Sequence, residues 1–402
     1  NVLEKERILT EQETSALADT PAADVLTLER KVAPSLWEDI SERGANKKVY
    51  TKNGRKKEAV YFAAPVHILG TDGSYQEIED CVGLEEENDC YRNRNSRFQA
   101  QFRRKSDSGE LFRMEKDGCS LVVSALERGH RKSSIPVPQK KSEALLYADI
   151  AEKTDYLYST FSDRVKENIV LRGKASAYRY SFLLESNGLE MRFQEKERTL
   201  TFYSLDDGEE VFWIPAPFMT DAKGAYSKDV CYEVRAVNES QAVLTILPDR
   251  SWIDAKERVF PVTIDPQIVL TGNTAIETYR WNSGKMAKEG TAIPVGSIGS
   301  GSSCFVSRMY MKLHISDIPD TARVEKATLD LRQQNSSGSK PRLCLYQVKE
   351  EITVGTCTPA IGDTMLDYVQ VTAAGPQTLS FDITAAYDSM RKGERSEERR
   401  VG

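Results

Sequence analysis

Two aromatic rings stand beside a cation and an amide in the stretch Tyr279-Arg280-Trp281-Asn282. Aromatic faces stack on the C–H surfaces of sugars, while guanidinium and amide groups hydrogen-bond to hydroxyls or carboxylates. These four residues therefore form a candidate ligand-binding cluster. The structural alternative is that Trp281 closes the edge of a β-sandwich, and the residue types alone leave both interpretations open.

A second candidate lies in 303–315, which we interpret as a strand. Strand alternation places Arg308, Tyr310 and Lys312 on one face, so a tyrosine ring again lies beside cations. We add Arg308 and Tyr310 to the candidate ligand-binding residues. A structural role for the ring is again the alternative.

The sequence lacks the common catalytic patterns. It has no G-x-S-x-G nucleophile elbow, no H-E-x-x-H zinc motif, no Walker loop and no dinucleotide-binding fingerprint. The glycines of 296–301 have the wrong spacing for a phosphate cradle and are interpreted as a flexible loop. We therefore predict no enzyme activity and no catalytic residue. The chain has 61 acidic residues. Whether two of their carboxylates lie at the separation that glycoside hydrolysis requires depends on the fold.

No metal site and no cofactor are predicted. The three histidines lie far apart, and the seven cysteines contain no C-x-x-C pair. The acidic run 206–210 lacks the alternation of a calcium loop, and its Asp207-Gly208 centre is explained as a turn. Cys81 and Cys90 either close a small disulfide loop or stay as buried free thiols.

Turn dipeptides flanked by alternating runs dominate the first two thirds of the chain. Asn-Gly and Asp-Gly supply the positive φ that tight hairpin turns require, so they predict antiparallel β-structure. Leu189, Met191 and Phe193 alternate with charged residues, as in a half-buried strand. The fold class is therefore predicted to be mostly β. The dipeptides are Asn53-Gly54, Asp72-Gly73, Asp117-Gly118, Asn187-Gly188 and Asp207-Gly208.

Three boundaries divide the chain. Residues 1–44 show helical spacing of Glu and Leu and predict a short helical or disordered lead-in. Residues 45–266 form the predicted antiparallel β region. Within it, the basic stretch 128–141 is interpreted as an exposed linker, with a polyanion-binding patch as the alternative. The region closes at 260–266, where Asp265-Pro266 stops the strand ladder.

Residues 267–394 are predicted to form a jelly-roll-like β-sandwich. Their composition shifts to Gly, Ser and Thr, and new alternating runs follow. After the last run, Thr384 is positioned to cap a short helix over 385–391. Residues 395–402 look like the translation of a sequencing-adapter oligonucleotide and are left out of the fold. The predicted strands are 303–315, 326–332, 342–348 and 378–383.

Composition narrows the function classes. A net charge of −6 argues against a nucleic-acid binder, and no run of about 20 apolar residues predicts a membrane span. The chain starts at Asn1 without a signal-peptide pattern, so either a signal was removed or the chain is part of a longer protein.

Several motifs together resemble a known family. The stretch 258–266, Arg-Val-Phe-Pro-Val-Thr-Ile-Asp-Pro, resembles the strand that precedes DNRLRE domains in large wall-associated Rhs (YD-repeat) proteins of Gram-positive bacteria. The stretches 64–80, 165–171 and 214–222 are similar to other parts of the same region. The resemblance covers about 45–394.

Beyond Pro266 the order of motifs resembles a DNRLRE domain, which is carbohydrate-binding-module-like. The matching stretches are 278–281, 307–313, 318–329 and 379–384. Two features depart from that pattern. A Trp-rich stretch between Val348 and Tyr368 is missing, and so is a closing strand after 385–391.

The resemblance implies an extracellular, cell wall-associated location. It implies a non-catalytic structural or glycan-binding region of a large, polymorphic toxin-like Rhs protein. The implied partners are cell-wall or environmental polysaccharide and the Rhs repeats downstream in the same chain, while composition predicts no nucleic-acid partner and no membrane span. Two alternatives stay open: an accessory module of a polysaccharide-degrading enzyme, and a purely structural scaffold.

Overall fold

The computed structural model contains several antiparallel sheets and little helix, which confirms the predicted mostly-β class. The chain divides into two compact units, Asn1–Asn273 and Thr274–Gly402. None of the described helices is long and apolar enough to cross a membrane. The residues described are 37–52, 56–104, 109–126, 133–135, 144–271, 276–282, 284–288, 293, 295–298, 305–313, 318, 321–333, 341–348, 352, 354–356, 364–373 and 375–387.

The described part of the first unit contains strands β1 to β24 and three short helical segments. The helical segments are two 3-10 turns, Ile40–Glu42 and Glu86–Asn88, and the helix α1, Arg250–Asp254. The strands are β1 Trp37–Glu38, β2 Lys47–Lys52, β3 Lys56–Tyr61, β4 His67–Leu69, β5 Tyr75–Glu77, β6 Glu79–Glu85, β7 Cys90–Arg94, β8 Gln99–Arg103, β9 Glu110–Lys116, β10 Cys119–Ala125, β11 Ser133–Ile135, β12 Ala144–Ala151, β13 Thr154–Phe161, β14 Arg164–Leu171, β15 Tyr180–Asn187, β16 Leu189–Gln194, β17 Thr199–Ser204, β18 Glu210–Ile214, β19 Met219–Asp221, β20 Tyr226–Ser227, β21 Val230–Ala236, β22 Gln241–Pro248, β23 Val262–Ile264 and β24 Gln267–Leu270.

Two large sheets dominate this unit. One has eight strands in the order β21-β22-β15-β10-β9-β8-β7-β6. The other has eleven strands, with the central path β11-β12-β13-β14-β24-β18-β17-β16 and β19, β20 and β23 attached beside it. A three-stranded sheet, β1-β2-β3, and the hairpin β4-β5 precede them.

The two large sheets share one apolar core. Phe102 and Phe112 come from the eight-stranded sheet, and their ring centroids lie 5.7 and 5.1 Å from that of Tyr158 in the eleven-stranded sheet. All three rings are buried. Such offset and tilted aromatic contacts add to the burial energy, so the sheets pack face to face around an aromatic layer.

Most of the predicted turns join neighbouring strands, and one does not. Gly73, Gly118 and Gly208 have positive φ and close the hairpins β4-β5, β9-β10 and β17-β18. Gly188 also has positive φ, but it connects β15 in one sheet to β16 in the other. The hairpin expected there is wrong, because β15 already pairs with β10 on one side and β22 on the other. Asn53-Gly54 lies outside the described residues.

Two predicted irregular stretches contain strands. Residues 37–44 belong to the predicted lead-in, yet Trp37–Glu38 forms β1 on the edge of β2. Residues 133–135 fall in the predicted linker, yet they form β11, which pairs with β12. Residues 1–36, 127–132 and 136–143 lie outside the described residues.

The second unit contains strands β25 to β33. Its five-stranded sheet has the order β27-β28-β25-β26-β31, and the pairs β29-β33 and β30-β32 form separate ladders. A small apolar cluster centres on Leu329, Leu379 and Phe381. The strands are β25 Ile276–Asn282, β26 Lys285–Lys288, β27 Gly296–Ile298, β28 Phe305–Leu313, β29 Thr328–Gln333, β30 Arg342–Gln347, β31 Gly355–Thr356, β32 Thr364–Gln370 and β33 Gln377–Asp382.

The predicted ends of this sandwich differ from those observed. The strand β24, Gln267–Leu270, pairs with β14 and β18, so it belongs to the first unit. Residues 296–298, interpreted above as part of a loop, form β27. Residues 384–387 are helical, so a helix forms where it was predicted, but Thr384 lies inside its first turn instead of capping it, because the Tyr387 N–H donates to Ile383 O. The remainder of the predicted helix and the adapter-like 395–402 lie outside the described residues.

Asp221 joins the turn after β19 to the segment that leads into β23. Its Oδ1 accepts hydrogen bonds from the backbone N–H groups of Lys223 and Ala225, both at 2.9 Å. Its Oδ2 accepts from Arg258 Nη1 at 3.2 Å and from the Val259 N–H at 3.3 Å. Arg258 also lies over the Trp252 ring, 4.2 Å from its centroid. The buried Asp221 carboxylate and its partner Arg258 thus link the turn after β19, the segment before β23 and the helix α1.

We expect Asp221→Ala to lower the free energy of unfolding by about 3–5 kcal/mol. The substitution removes the carboxylate that pairs with the buried Arg258 guanidinium, and a buried charge without its partner is costly. Urea denaturation followed by tryptophan fluorescence measures this change. The control is Glu190→Ala, which removes an exposed partner of Arg192 and is expected to leave the transition in place. An unchanged midpoint for Asp221→Ala would contradict this role.

Candidate functional site

Strands β25 and β28 bring four of the predicted site residues together. Tyr279 lies directly opposite Tyr310, and Trp281 lies directly opposite Arg308. Directly opposed residues share a face, and so do residues two apart on one strand. The same face also carries Glu277, which lies opposite Lys312. We call this surface the aromatic face; it comprises Glu277, Tyr279, Trp281, Arg308, Tyr310 and Lys312.

Arg280 and Asn282 lie on the other side of the same strand. Arg280 is opposite Met309, and Asn282 is opposite Ser307, which is buried. Met311 on this side packs against the apolar cluster of the unit. The aromatic face therefore points away from that cluster, and the predicted group of Tyr279, Arg280, Trp281 and Asn282 is divided between two faces.

The rings of the aromatic face are packed against their neighbours, and those of Tyr279 and Trp281 remain partly exposed to solvent. Tyr279, Trp281 and Arg308 are half-buried, whereas Tyr310 is only 7% exposed. The Arg308 guanidinium carbon lies 5.7 Å from the centroid of the Trp281 ring, within cation–π range. On the other neighbouring strand, the buried Met286 lies opposite Trp281 and supports it. Trp281 is thus fixed between two strands.

The electrostatics of this face come from one carboxylate and two cations. Tyr279 Oη donates a hydrogen bond of 2.7 Å to Glu277 Oε2. Burial and this hydrogen bond to Glu277 raise the pKa of Tyr279 to about 12. Tyr279 therefore stays a neutral donor at physiological pH. Together with Arg308 and Lys312, the face offers two aromatic surfaces, donors and an acceptor, which suits a ligand with hydroxyl and acidic groups.

Sequence reasoning missed Glu277. The signal that identifies it is strand alternation, because Glu277, Tyr279 and Trp281 are two residues apart. Strand alternation also places Lys312, which lies opposite Glu277, on the face of Arg308.

A groove of about 410 Å³ lies on the outer face of the eight-stranded sheet. Ser181 and Thr245, whose hydroxyl oxygens are 3.1 Å apart, are in its wall. An exposed ion pair, Arg179 to Glu233 at 3.4 Å, lies beside them. Since none of its lining residues is aromatic, this groove lacks the stacking surface that the aromatic face has.

The described residues contain no group of three or more His, Cys, Asp or Glu side chains that could hold a metal ion. Cys81 and Cys90 are not joined in a disulfide, so the small disulfide loop considered from the sequence is not formed. The acidic turn at 206–210 is the β17-β18 hairpin, where Asp207 Oδ1 accepts the Glu209 N–H at 3.0 Å.

Several curated proteins are similar to the chain. It is 27% identical over 250 residues to the tRNA nuclease WapA of Bacillus subtilis strain 168, covering 58% of this chain and 10% of that protein. It is 25% identical over 281 residues to the tRNA(Glu)-specific nuclease WapA of Bacillus subtilis subsp. natto, covering 66% and 12%. It is 28% identical over 195 residues to a wall-associated protein of Geobacillus stearothermophilus, covering 46% and 75%. No family model matches, and no solved structure matches significantly.

These relatives support the broader part of the family resemblance. The chain is similar to wall-associated, Rhs-like proteins of Gram-positive bacteria, and the expected extracellular, cell wall-associated location is confirmed. The alignments span 10% and 12% of the length of the two WapA relatives, and the nuclease activity is named for those whole proteins. The DNRLRE assignment of the second unit stays a prediction.

The environment of Tyr279 predicts that its hydroxyl group loses its proton at a higher pH than an exposed tyrosine does. We expect Tyr279 to remain protonated at pH 10–11, because its pKa is raised to about 12. Glu277→Gln is expected to lower that pKa only in part, since burial is its largest cause. A tyrosine-specific NMR titration, assigned by comparison with Tyr279→Phe, measures both values. A Tyr279 signal that titrates with the exposed tyrosines near pH 10 would contradict the observed hydrogen bond.

Proposed function

We propose that the chain is a non-catalytic, extracellular region of a large cell-surface Rhs-type protein, and that its second unit binds polysaccharide through the aromatic face. The observation that carries this proposal is the grouping of Tyr279, Trp281, Arg308 and Tyr310 on one side of the five-stranded sheet, away from the apolar cluster. The predicted DNRLRE-like character of the unit adds support.

The chemistry of the face favours a carbohydrate. A half-buried Trp281 ring and the neighbouring Tyr279 ring present flat apolar surfaces at a fixed spacing on adjacent positions of one strand face. Arg308 and Lys312 supply donors for hydroxyl and carboxylate groups. Because these side chains lie on paired strands rather than on loops, the platform is held ready before the ligand arrives.

In this proposal the ligand is a cell-wall or environmental polysaccharide. In the WapA relatives the aligned region is 10% and 12% of the whole protein, and we propose that the parent of this chain is likewise a longer protein with Rhs repeats and a toxin in other parts. The region would then hold or present the parent protein at the wall. Nuclease activity, where the parent has it, would belong to another part of that protein.

A structural scaffold is the second candidate, and one observation favours it. Tyr310 of the aromatic face is 7% exposed, and Met286, which lies opposite Trp281, is 2% exposed, so the surface around Trp281 already contributes to packing. A scaffold needs Trp281 for stability, whereas a binding module needs it for affinity. The third candidate, an accessory module of a polysaccharide-degrading enzyme, shares the binding chemistry and differs only in the domain that accompanies it.

Trp281→Ala separates binding from scaffolding. We expect the variant of the full chain to lose tenfold or more in affinity for purified wall polysaccharide, equal to about 1.4 kcal/mol or more, because it removes the main stacking surface. Its melting temperature is expected to stay close to the original value. A glycan array followed by calorimetry with the best ligand measures the first quantity, and differential scanning calorimetry measures the second.

Arg280→Ala provides the matched control, because Arg280 neighbours Trp281 in sequence but lies on the opposite face. It is expected to bind polysaccharide as the original chain does. A lower melting temperature with unchanged binding for Trp281→Ala would establish the scaffold instead. Absence of binding to every wall and environmental glycan tested would refute the binding proposal.

A further inference from the structure

A square of four buried polar side chains lies on the outer face of the eleven-stranded sheet. Lys166 and Asn168 belong to β14, and Lys166 lies opposite Gln267 of β24. The pairing of β14 with β23 has the same register, which places Asp265 opposite Asn168. The exposures of Lys166, Asn168, Asp265 and Gln267 are 2%, 0%, 5% and 5%. An amine, a carboxyl group and two amides are therefore enclosed together.

The amine and the carboxyl group are in contact. Lys166 Nζ lies 3.0 Å from Asp265 Oδ2. Among the described residues, Asp265 Oδ1 has no hydrogen-bond partner, and neither does the side-chain nitrogen or oxygen of Asn168. A charged carboxylate in such surroundings would normally accept several hydrogen bonds. The site is therefore poorly arranged for a buried ion pair.

Burial acts on both groups in the same direction. Desolvation lowers the pKa of the Lys166 amine and raises the pKa of the Asp265 carboxyl group. Both shifts favour the uncharged forms. An uncharged amine is a nucleophile, and an uncharged carboxylic acid has an electrophilic carbon and can release its hydroxyl group. Here the two are held in contact in a site closed to water.

We propose that Lys166 and Asp265 are joined by an isopeptide bond that forms within the folded chain. The Lys166 Nζ lone pair attacks Asp265 Cγ, and the new C–N bond replaces the C–O bond to the hydroxyl group. That hydroxyl group leaves with one amine hydrogen as water, so no oxidant or cofactor is consumed. The remaining carbonyl oxygen gains a donor in the Asn168 amide, which lies opposite Asp265 and has hydrogen atoms to give.

The bond would connect β14 to the segment between β23 and β24. It would close the chain from Lys166 to Asp265 into a loop, and a cross-link over a long loop restricts the unfolded state strongly. Such a link does not depend on thiols, and none of the five cysteines whose state the structure gives is in a disulfide. An extracellular protein would thus gain a covalent constraint without a disulfide.

Peptide mapping of the full folded chain tests the proposal. Trypsin does not cleave after a lysine whose amine is in an amide bond. We expect a branched peptide in which 165–172 is joined to 259–280 through Lys166 and Asp265, with the mass of the two peptides less one water. Tandem mass spectrometry locates the branch. Intact mass alone is insufficient, because the chain's Asp-Gly pairs also lose water when they form succinimides.

Three variants sharpen the test. Lys166→Arg keeps the positive charge but is expected to abolish the branch. Asp265→Asn keeps the shape of the acceptor and is expected to give the same branched peptide with loss of ammonia instead of water. Lys48→Arg is the control, because Lys48 pairs with Glu77 at a site where the glutamate is exposed, and it is expected to leave the branch intact.

Cleavage after Lys166 in the folded original chain, together with a linear 259–280 peptide, would overturn the proposal and leave Lys166 and Asp265 as an ordinary buried pair. This outcome is read from the original chain, so it holds even where a variant fails to fold.

Discussion

Strand β14 is buried on both faces along its whole length, and the first unit is organised around that constraint. Its inner face carries Val165 and Ile169 into the aromatic core, and Glu167 accepts a 2.6 Å hydrogen bond there from Tyr158. Its outer face carries Lys166 and Asn168, which lie beside the buried side chains of Asp265 and Gln267. A slip of one residue in register would move Lys166 into the aromatic core and Val165 out of it, so both neighbouring pairings are strongly specified.

The neighbours of β14 explain why the region ends where it does. On one side lies β13, the preceding strand in the chain, and on the other lie β23 and β24, about a hundred residues later. The eleven-stranded sheet is therefore complete only when residues 262–270 pair with β14 at its centre. Asp265-Pro266 does interrupt the ladder, as the sequence indicates, but the chain continues in the same register instead of leaving the sheet.

Local signals predicted the strands well and their partners less well. A positive φ at Asp117-Gly118 is a property of two residues, and the sequence reveals it. Whether Asn187-Gly188 closes a hairpin or crosses between sheets depends on β10 and β22, which lie far away in the sequence and occupy both edges of β15. The candidate site shows the same division. Alternation along one strand separates Arg280 from Trp281, but only the register with β28 reveals that Arg308 lies beside Trp281.

The first unit encloses many of its aromatic rings between its sheets, whereas the second unit leaves Trp281 and Tyr368 partly exposed. In the first unit, Phe102, Phe112 and Tyr158 are fully enclosed between sheets. In the second, the cluster holds mainly aliphatic residues, while Trp281 stays half-buried on an outer face and Tyr368 is 51% exposed beneath Arg342. Burying such rings is among the largest sources of stability that a small unit has. Under the proposed function, a bound polysaccharide covers the Trp281 ring, and this cover takes the place of the stability that inward packing of the ring would add.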